Sequence, residues 1–249
     1  MKILSIDFDY FQNVDKDTAL TCYPDGVDLP SFITELTWAS YYANPFTKDK
    51  IRKINIREEE LDTLYSLLDI QDKNTPVMVS YSHKDIYDFV NKLTNYDYTT
   101  RLSVTNIDMH HDMFNDNEDV DCGNWATHFM NNYPKYRHQW IANPISKEVY
   151  GITEKKEFNE LVATSLEYIK AEKYNAIFLC RSDNWLPPHL DTKFNELFSQ
   201  IKLTFHNIQV HQSILEPRTE YLKFAEQEKQ YYTKYHNQKH KVNGENTRI

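Results

Sequence analysis

Hydrophobic and polar positions follow two periods along this chain, and the two periods predict a series of strands and helices. Short apolar, β-branched runs predict buried strands, whereas apolar positions three and four residues apart predict helices with one buried face. The predicted strands are 2–7, 76–81, 101–105, 139–142, 176–180 and a more polar last strand at 201–210. The predicted helices are 31–44, 57–70, 84–93, 124–132, 155–173, 192–200 and 220–235.

Strands that alternate with helices in this way favour a mostly parallel sheet with helices on both faces, a three-layer α/β/α fold. The chain has no internal repeat and no linker rich in Pro, Gly or Ser, so we predict one domain over residues 1–235. The composition turns polar after it, which predicts a flexible tail over 236–249. In sheets of this kind, ligands bind beyond the carboxyl ends of the strands.

Composition excludes several classes of function. The 249 residues include 28 basic and 37 acidic ones, and a net charge of −9 repels nucleic acid. With only 4 glycines, the chain has no glycine-rich phosphate-binding loop. Its three cysteines form no C-x-x-C, which favours a reduced, cytoplasmic protein. The early acidic residues and the lack of an apolar run of about 18 residues predict neither a signal peptide nor a membrane partner.

Acidic and histidine side chains gather at three predicted strand ends. Residues two apart on an extended strand point to the same side, so each group is expected to converge on one point. A divalent cation is the usual partner of several carboxylates beside imidazoles, and an oxygen-rich shell favours Mn²⁺ or Mg²⁺ over Zn²⁺. Six ligands are enough for two ions that share carboxylates. The predicted ligands are Asp7, Asp9, His83, Asp108, His110 and Asp112.

Each motif alone has another reading. An isolated D-x-H-x-D can be a solvated strand end, and a lone histidine after a strand, such as His83, is most often structural. D-x-D also occurs in haloacid dehalogenase phosphatases, but Phe11 stands where they have Thr or Val. Low-fidelity polymerases carry D-x-D-x-F, but they are basic proteins. Neither class explains the second acidic motif at 108–112.

Taken together, the motifs resemble those of the ureohydrolases, the arginase–agmatinase–deacetylase superfamily. Arginases have a G-G-D-H strand end followed by a D-A-H-x-D strand end, and this chain has S-Y-S-H at 80–83 and D-M-H-H-D at 108–112. The peptide arginase branch is most similar, through I-D-F-D-Y-F at 6–11 and R-S-D-N-W-L-P at 181–187. The resemblance covers roughly residues 2 to 190.

The resemblance implies an arginase-like hydrolase with two Mn²⁺ that converts arginine, within a ribosomally made peptide, to ornithine and urea. Asp112 is expected to bridge the ions, and His128 to protonate the leaving amine. Asn124, in a C-G-N loop, is an expected substrate contact, as is Asp183, which would pair with the guanidinium; Glu216 is the second choice for that role.

Two departures from arginases leave alternatives open. The D-x-D strand opens this chain but comes late in arginases, so a permuted strand order is required. The arginase glutamate that receives the guanidinium has no clear counterpart, and Asp183 could instead be a surface turn residue. A small-molecule ureohydrolase, a metal-dependent amidohydrolase or deacetylase, and a degenerate binding module are the other candidates. The partner is an arginine-containing peptide or a small guanidine compound, and a homo-oligomer stays open.

Overall fold

The computed structural model describes residues 1–23, 28–114, 119–150, 165–215, 218, 223–227 and 229–230. In chain order its strands are β1 (Lys2–Asp7), β2 (Gln12–Asn13), β3 (Asn55–Ile56), β4 (Val77–Ser80), β5 (Ser103–Asp108), β6 (Arg137–Ala142), β7 (Ala176–Cys180) and β8 (Ile208–Val210). Six of them form one parallel sheet in the order β6-β5-β1-β7-β4-β8. Strands β2 and β3 pair antiparallel in a separate ribbon.

Eight α-helices connect these strands within the described residues: α1 (Lys16–Thr21), α2 (Ser31–Ala43), α3 (Lys48–Ile51), α4 (Glu58–Asp69), α5 (Asp85–Leu93), α6 (Trp125–Asn132), α7 (Ser146–Tyr150) and α8 (Asp191–Thr204). Short 3-10 helices lie at Phe8–Phe11, Leu166–Tyr168, Pro188–Leu190 and Gln212–Leu215. None of the helices seen in this part of the chain has the length and apolar content that crossing a bilayer demands.

Two hydrophobic clusters cover the two faces of the sheet. Alternate residues of a strand point to opposite faces. Ile6 belongs to the cluster formed with α2, α4 and α8, which includes Phe194. Ile3 belongs to the other cluster, which includes Phe89 of α5 and Phe129 of α6. The three-layer α/β/α prediction is therefore confirmed, with a central sheet that is parallel throughout.

The predicted helices at 31–44, 57–70, 84–93 and 124–132 and the first five strands are present within a few residues of their predicted bounds. The strand predicted at 201–210 is wrong over its first half, because α8 continues to Thr204 and β8 spans only Ile208–Val210. Buried Ile201 extends the helical stripe of Phe194, Leu197 and Phe198, and this burial favours the helix.

Other predicted elements are short, changed or outside the described residues. Helix α1 (Lys16–Thr21) lies between the predicted strand 2–7 and the predicted helix 31–44, where the sequence predicted no element. The side chain of Asp15 caps this helix by accepting the N–H of Thr18. Of the helix predicted at 155–173, residues 155–164 lie outside the described residues, and the rest contains only the 3-10 helix Leu166–Tyr168. Of 220–235, residues 223–227 and 229–230 are helical. The predicted tail, 236–249, lies outside the described residues.

The strand order brings the acidic motifs to one edge of the sheet. Strand β1 lies between β5 and β7, so Asp7 and Asp108 end neighbouring strands. Asp7 is four residues after Ile3 on β1, and Asp108 is four residues after Val104 on β5, so each carboxylate lies on the same face of the sheet as the earlier residue. Ile3 and Val104 belong to the cluster with α5 and α6, which places both carboxylates on that face. His83 follows β4, which is separated from β1 by β7, so its side chain must reach across one strand.

Candidate metal centre

Two groups of potential metal ligands lie at this edge and share one carboxylate. In each group the ligand atoms lie within 4.8 Å of one another. The sixth predicted ligand, Asp112, is adjacent, with its Oδ2 3.0 Å from Nδ1 of His83. The first group contains Asp7, His83 and Asp108, and the second contains Asp9, Asp108 and His110.

Tight turns, rather than extended strand ends, make these side chains converge. Strand β1 ends at Asp7, whose side chain accepts the N–H of Asp9 at 3.1 Å and caps the 3-10 helix Phe8–Phe11. Asp9 then accepts the N–H of Met109 at 3.1 Å, which ties the turn after β1 to the turn after β5. The predicted convergence is present, but the reason given for it, an extended backbone, is wrong.

The turn after β5 places His110 between two carboxylates. Oδ1 of Asp108 accepts the N–H of His110 at 2.7 Å. The Nδ1 atom of His110 lies 2.9 Å from Oδ2 of Asp9 and 3.5 Å from Oδ1 of Asp108. The ring of Trp185 packs against the imidazole, with centroids 4.6 Å apart. The ring therefore has a defined position at the wall of the site.

Asp112 returns to the site through a left-handed backbone conformation. Its φ is 55°, which a non-glycine residue adopts only when its surroundings hold it there. Oδ2 of Asp112 accepts the indole N–H of Trp125 at 2.7 Å and the amide of Asn106 at 3.4 Å. Trp125 opens α6, so this helix fixes the carboxylate beside His83.

His83 has one ring nitrogen held and the other facing carboxylates. Nε2 lies 2.7 Å from Oγ of Ser5, and the ring stacks parallel to Phe178 at a centroid distance of 5.7 Å. Nδ1 lies 3.0 to 3.1 Å from oxygens of Asp7, Asp108 and Asp112. Metal-binding histidines are typically held in this way through the nitrogen that does not bind the metal.

The charges of the cluster do not balance within the described residues. Burial, reinforced by the charge of Asp108, raises the pKa of Asp7 to about 6 and also raises the pKa of Asp112. At Asp108 the rings of His110 and His83 outweigh burial and lower the pKa. Burial alone would lower the pKa of His83, but the surrounding carboxylates, Asp112 foremost, raise it well above its ordinary value. Four carboxylates face two imidazoles, so with all four carboxylates ionised the cluster carries a net negative charge even when both rings are protonated.

Two buried atoms of the cluster lie close to charged neighbours without making a hydrogen bond, and the residues around them fit a divalent cation. Oδ2 of Asp9 and Nδ1 of His83 are buried and, among the described residues, make no interaction with the geometry of a hydrogen bond. An unsatisfied buried polar group costs about 1–3 kcal/mol, which a cation would offset. Carboxylate oxygens with two imidazoles suit Mn²⁺. The geometry favours Asp108, not Asp112, as the shared carboxylate.

The predicted residues outside the ligand groups have other surroundings. The ring of His128 lies against Tyr87 of α5, with centroids 5.9 Å apart, and belongs to neither group, so its proton-donor role stays a prediction. Asn124 uses both side-chain polar atoms inside its own loop, accepting from the N–H of Asp121 at 2.8 Å and donating to the carbonyl of Asp119 at 3.1 Å. This bonding favours a loop-shaping role over a substrate contact. Glu216 lies outside the described residues.

Asp183 already has a guanidinium partner within this chain. Nε and a terminal nitrogen of Arg181 donate to its two oxygens at 2.5 and 2.8 Å. Ser182, with a φ of 59°, turns the backbone between the two side chains. This two-point ion pair already occupies the carboxylate and argues against a substrate contact, and the role of Asp183 in binding the guanidinium stays a prediction.

We expect Asp183→Asn to reduce stability and to leave the metal content unchanged. The substitution leaves the buried Arg181 without its partner, and breaking a buried ion pair in this way costs about 3–5 kcal/mol. Denaturant unfolding measures the loss. The matched control is Glu167→Gln, which removes an exposed pair with Lys170 and should cost less than about 1 kcal/mol. Equal midpoints for the two variants would contradict the structural role of Asp183.

Three residues that sequence reasoning missed support the ligands. Ser5 contacts His83, and Asn106 donates to Oδ2 of Asp108 at 3.2 Å. Each stands two residues before the aspartate that ends its strand and therefore on the same face of the sheet. A polar residue at this position in an otherwise buried strand was the sequence signal that could have identified both supporting residues. Trp125 has no comparable local signal, because its partner Asp112 lies in a separate segment.

No family model, curated protein or solved structure matches this chain. Its class is therefore defined by its own fold and site. It is a three-layer α/β/α protein with a cluster of aspartate and histidine side chains at the carboxyl edge of the sheet.

Proposed function

We propose that this protein is a metal-dependent hydrolase with two Mn²⁺ that cleaves the guanidinium of arginine, within a peptide, to ornithine and urea. The observation that carries the proposal is the pair of ligand groups that share Asp108. The motif resemblance to peptide arginases supplies the reaction. A guanidinium is a cation, and the acidic surface of the chain suits it.

Each residue of the site has a part in this proposal. Asp7, His83 and Asp108 would hold one ion, with Asp112 beside them, and Asp9, Asp108 and His110 would hold the other. When bound, such a pair would supply a water nucleophile at neutral pH and would help to orient it towards the guanidinium carbon. Ser5 orients His83, and Trp125 orients Asp112. The rings of Trp125 and Trp185 pack against the imidazoles of His83 and His110.

The proposal predicts urea from arginine in a peptide. The purified protein, loaded with Mn²⁺, is incubated with an arginine-containing peptide, free arginine or agmatine, and urea and ornithine are measured. Release of urea from the peptide supports the proposal. Release of urea from free arginine or agmatine alone would instead assign the protein as a small-molecule ureohydrolase. Asp108→Asn is the inactive control. Absence of urea from all three substrates with full metal loading would refute the assigned reaction.

Metal content separates the remaining alternatives. A deacetylase generally holds a single Zn²⁺, so elemental analysis should give one ion per chain and an acetylated lysine peptide should be hydrolysed. A degenerate binding module should take up no metal. Two ligand groups that share a carboxylate favour two ions, and this is the specific reason for preferring the ureohydrolase reaction.

A further inference from the structure

A further carboxylate, Asp28, lies beside the candidate metal centre without belonging to either ligand group. Its Oδ2 accepts a hydrogen bond from the hydroxyl of Ser82, the residue immediately before His83. The thiol of Cys122 also interacts with the Asp28 carboxylate, and Cys122 lies in the loop that leads to Trp125. Asp28 therefore touches both segments that deliver and orient ligands of the first group.

The charges of Asp28 and of the metal-binding carboxylates act on the same two thiols. The pKa of Cys122 is raised first by burial, then by Asp28 and Asp112. The pKa of Cys180 is raised first by burial, then by Asp7 and Asp28. Cys180 pairs with Asp7 in the sheet register, which fixes its place next to the ligands. Besides its contact with Ser82, Asp28 therefore acts on the same two thiols as the carboxylates of Asp7 and Asp112.

Asp28 differs from Asp183 in its pairing. Asp183 has the two-point contact with Arg181, whereas no salt bridge involves Asp28 in the part of the chain that the structure describes. The side chain is half-buried, and burial raises its pKa to about 6, only partly offset by Ser82 and by the charge of Lys84. A carboxylate in such surroundings is stabilised when a cation approaches it.

We propose that Asp28 is the carboxylate that binds the guanidinium of the substrate and sets the preference for cationic side chains. This inference rests on the proposed function for the identity of the cation. The hydroxyl of Ser82 donates to Oδ2 of Asp28 and orients the carboxylate. The remaining lone pairs of this carboxylate accept the N–H groups of the planar guanidinium. A neutral side chain of the same length leaves the carboxylate uncompensated and binds poorly.

The test compares Asp28→Asn with a matched control, Asp85→Asn. Asp85 also accepts a serine hydroxyl from the same segment, Oγ of Ser80 at 2.5 Å, but it is not proposed to touch the substrate. The non-reactive probe is Nα-acetyl-lysine amide, whose neutral counterpart is Nα-acetyl-norleucine amide. Calorimetry on the Mn²⁺-loaded proteins gives their dissociation constants, and melting curves and metal analysis show that each variant is folded and loaded.

The wild-type protein and Asp85→Asn should prefer the lysine probe over the norleucine probe. Asp28→Asn should lose most of that preference, on the order of a hundredfold, and lose kcat/KM for Nα-acetyl-arginine amide by a similar factor. Retained preference in a folded, loaded Asp28→Asn overturns the inference. Loss of metal in that variant also overturns the inference, because it would show that Asp28 holds the segment that carries the ligand His83 in place.

The probes also separate this inference from the proposed reaction. One outcome is that the wild-type protein releases no urea but prefers the lysine probe, and that Asp28→Asn abolishes this preference. The proposed hydrolysis of arginine is then wrong, and Asp28 still binds the cation. If urea is released and Asp28→Asn keeps its charge preference, the reaction stands and Asp28 is not the binding residue. Where Asp28→Asn does not fold, Asp28→Ala decides by the same comparison.

Discussion

Replacing Asp108 with asparagine should remove both metal ions, whereas replacing Asp9 should remove one. Asp108 is common to both ligand groups, and Asp9 belongs only to the second. Asparagine keeps the shape of the side chain but loses the charge that compensates the cation. Substitution of residues that merely orient ligands typically costs 10- to 100-fold in metal affinity, so loss of a ligand should cost about 100-fold or more.

Elemental analysis after dialysis measures this difference directly. The expected ratios are two ions per chain for the wild-type protein, about one for Asp9→Asn and close to none for Asp108→Asn, because the lost charge is shared by both groups. Asp85→Asn, outside both groups, should keep two. Equal loss in Asp9→Asn and Asp108→Asn would show that the two groups bind as a single site, and full occupancy in Asp108→Asn would remove the basis of the metal assignment.

Addition of Mn²⁺ to metal-free protein should raise the melting temperature by about 5–10 °C for each occupied site. A ligand at 100 times its dissociation constant stabilises the folded state by about 2.7 kcal/mol. For a chain of this size each kcal/mol corresponds to roughly 2–4 °C. The cation also relieves repulsion among four buried carboxylates, a term that the unfolded chain lacks. Asp108→Asn should show little rise, and KCl at equal ionic strength should not reproduce the effect.

The same measurement should depend on pH in a defined direction. The pKa of Asp7 is raised from 3.8 to about 6, so the metal-free folded state holds this proton more tightly than the unfolded chain does. Stability of the metal-free protein therefore falls as pH rises from about 4 to 6. Mn²⁺ binds the ionised form, and its stabilising effect should grow over this interval. A shift in melting temperature that is independent of pH would contradict involvement of Asp7.

Strand ends and residue types were readable from the sequence because they depend on local pattern. Asp7 and Asp108 close buried apolar runs, and parallel strands end at a common edge, so their lying at one edge followed from fold class. Their direct contact depends on the strand order, which places β1 beside β5. The pairing of Asp183 was not readable in this way. It depends on the left-handed backbone at Ser182, which a non-glycine residue adopts only in a tertiary context that holds it there.

The end of α8 illustrates a second limit. Residues 201–210 carry apolar side chains that suit either a strand or the last turns of a helix, and short runs do not distinguish the two. Packing decides in favour of the helix, because Ile201 and Phe198 are buried on the same face. Likewise, the C-G-N motif suggested a substrate role for Asn124 by analogy with arginases. In the structure both polar atoms of the Asn124 side chain make hydrogen bonds within the loop itself.

The sharing of Asp108 makes the two halves of the site thermodynamically dependent on each other. A first cation bound by either group would neutralise part of the charge that the second group offers, because both groups contain Asp108, and two cations so close would repel each other. Occupation of one position therefore weakens the other, and by reciprocity the same factor applies in either order. If the protein binds two Mn²⁺ as proposed, such negative cooperativity would yield a half-loaded species at intermediate Mn²⁺ concentrations. Its response to metal supply would then extend over a wider range than two independent positions would allow.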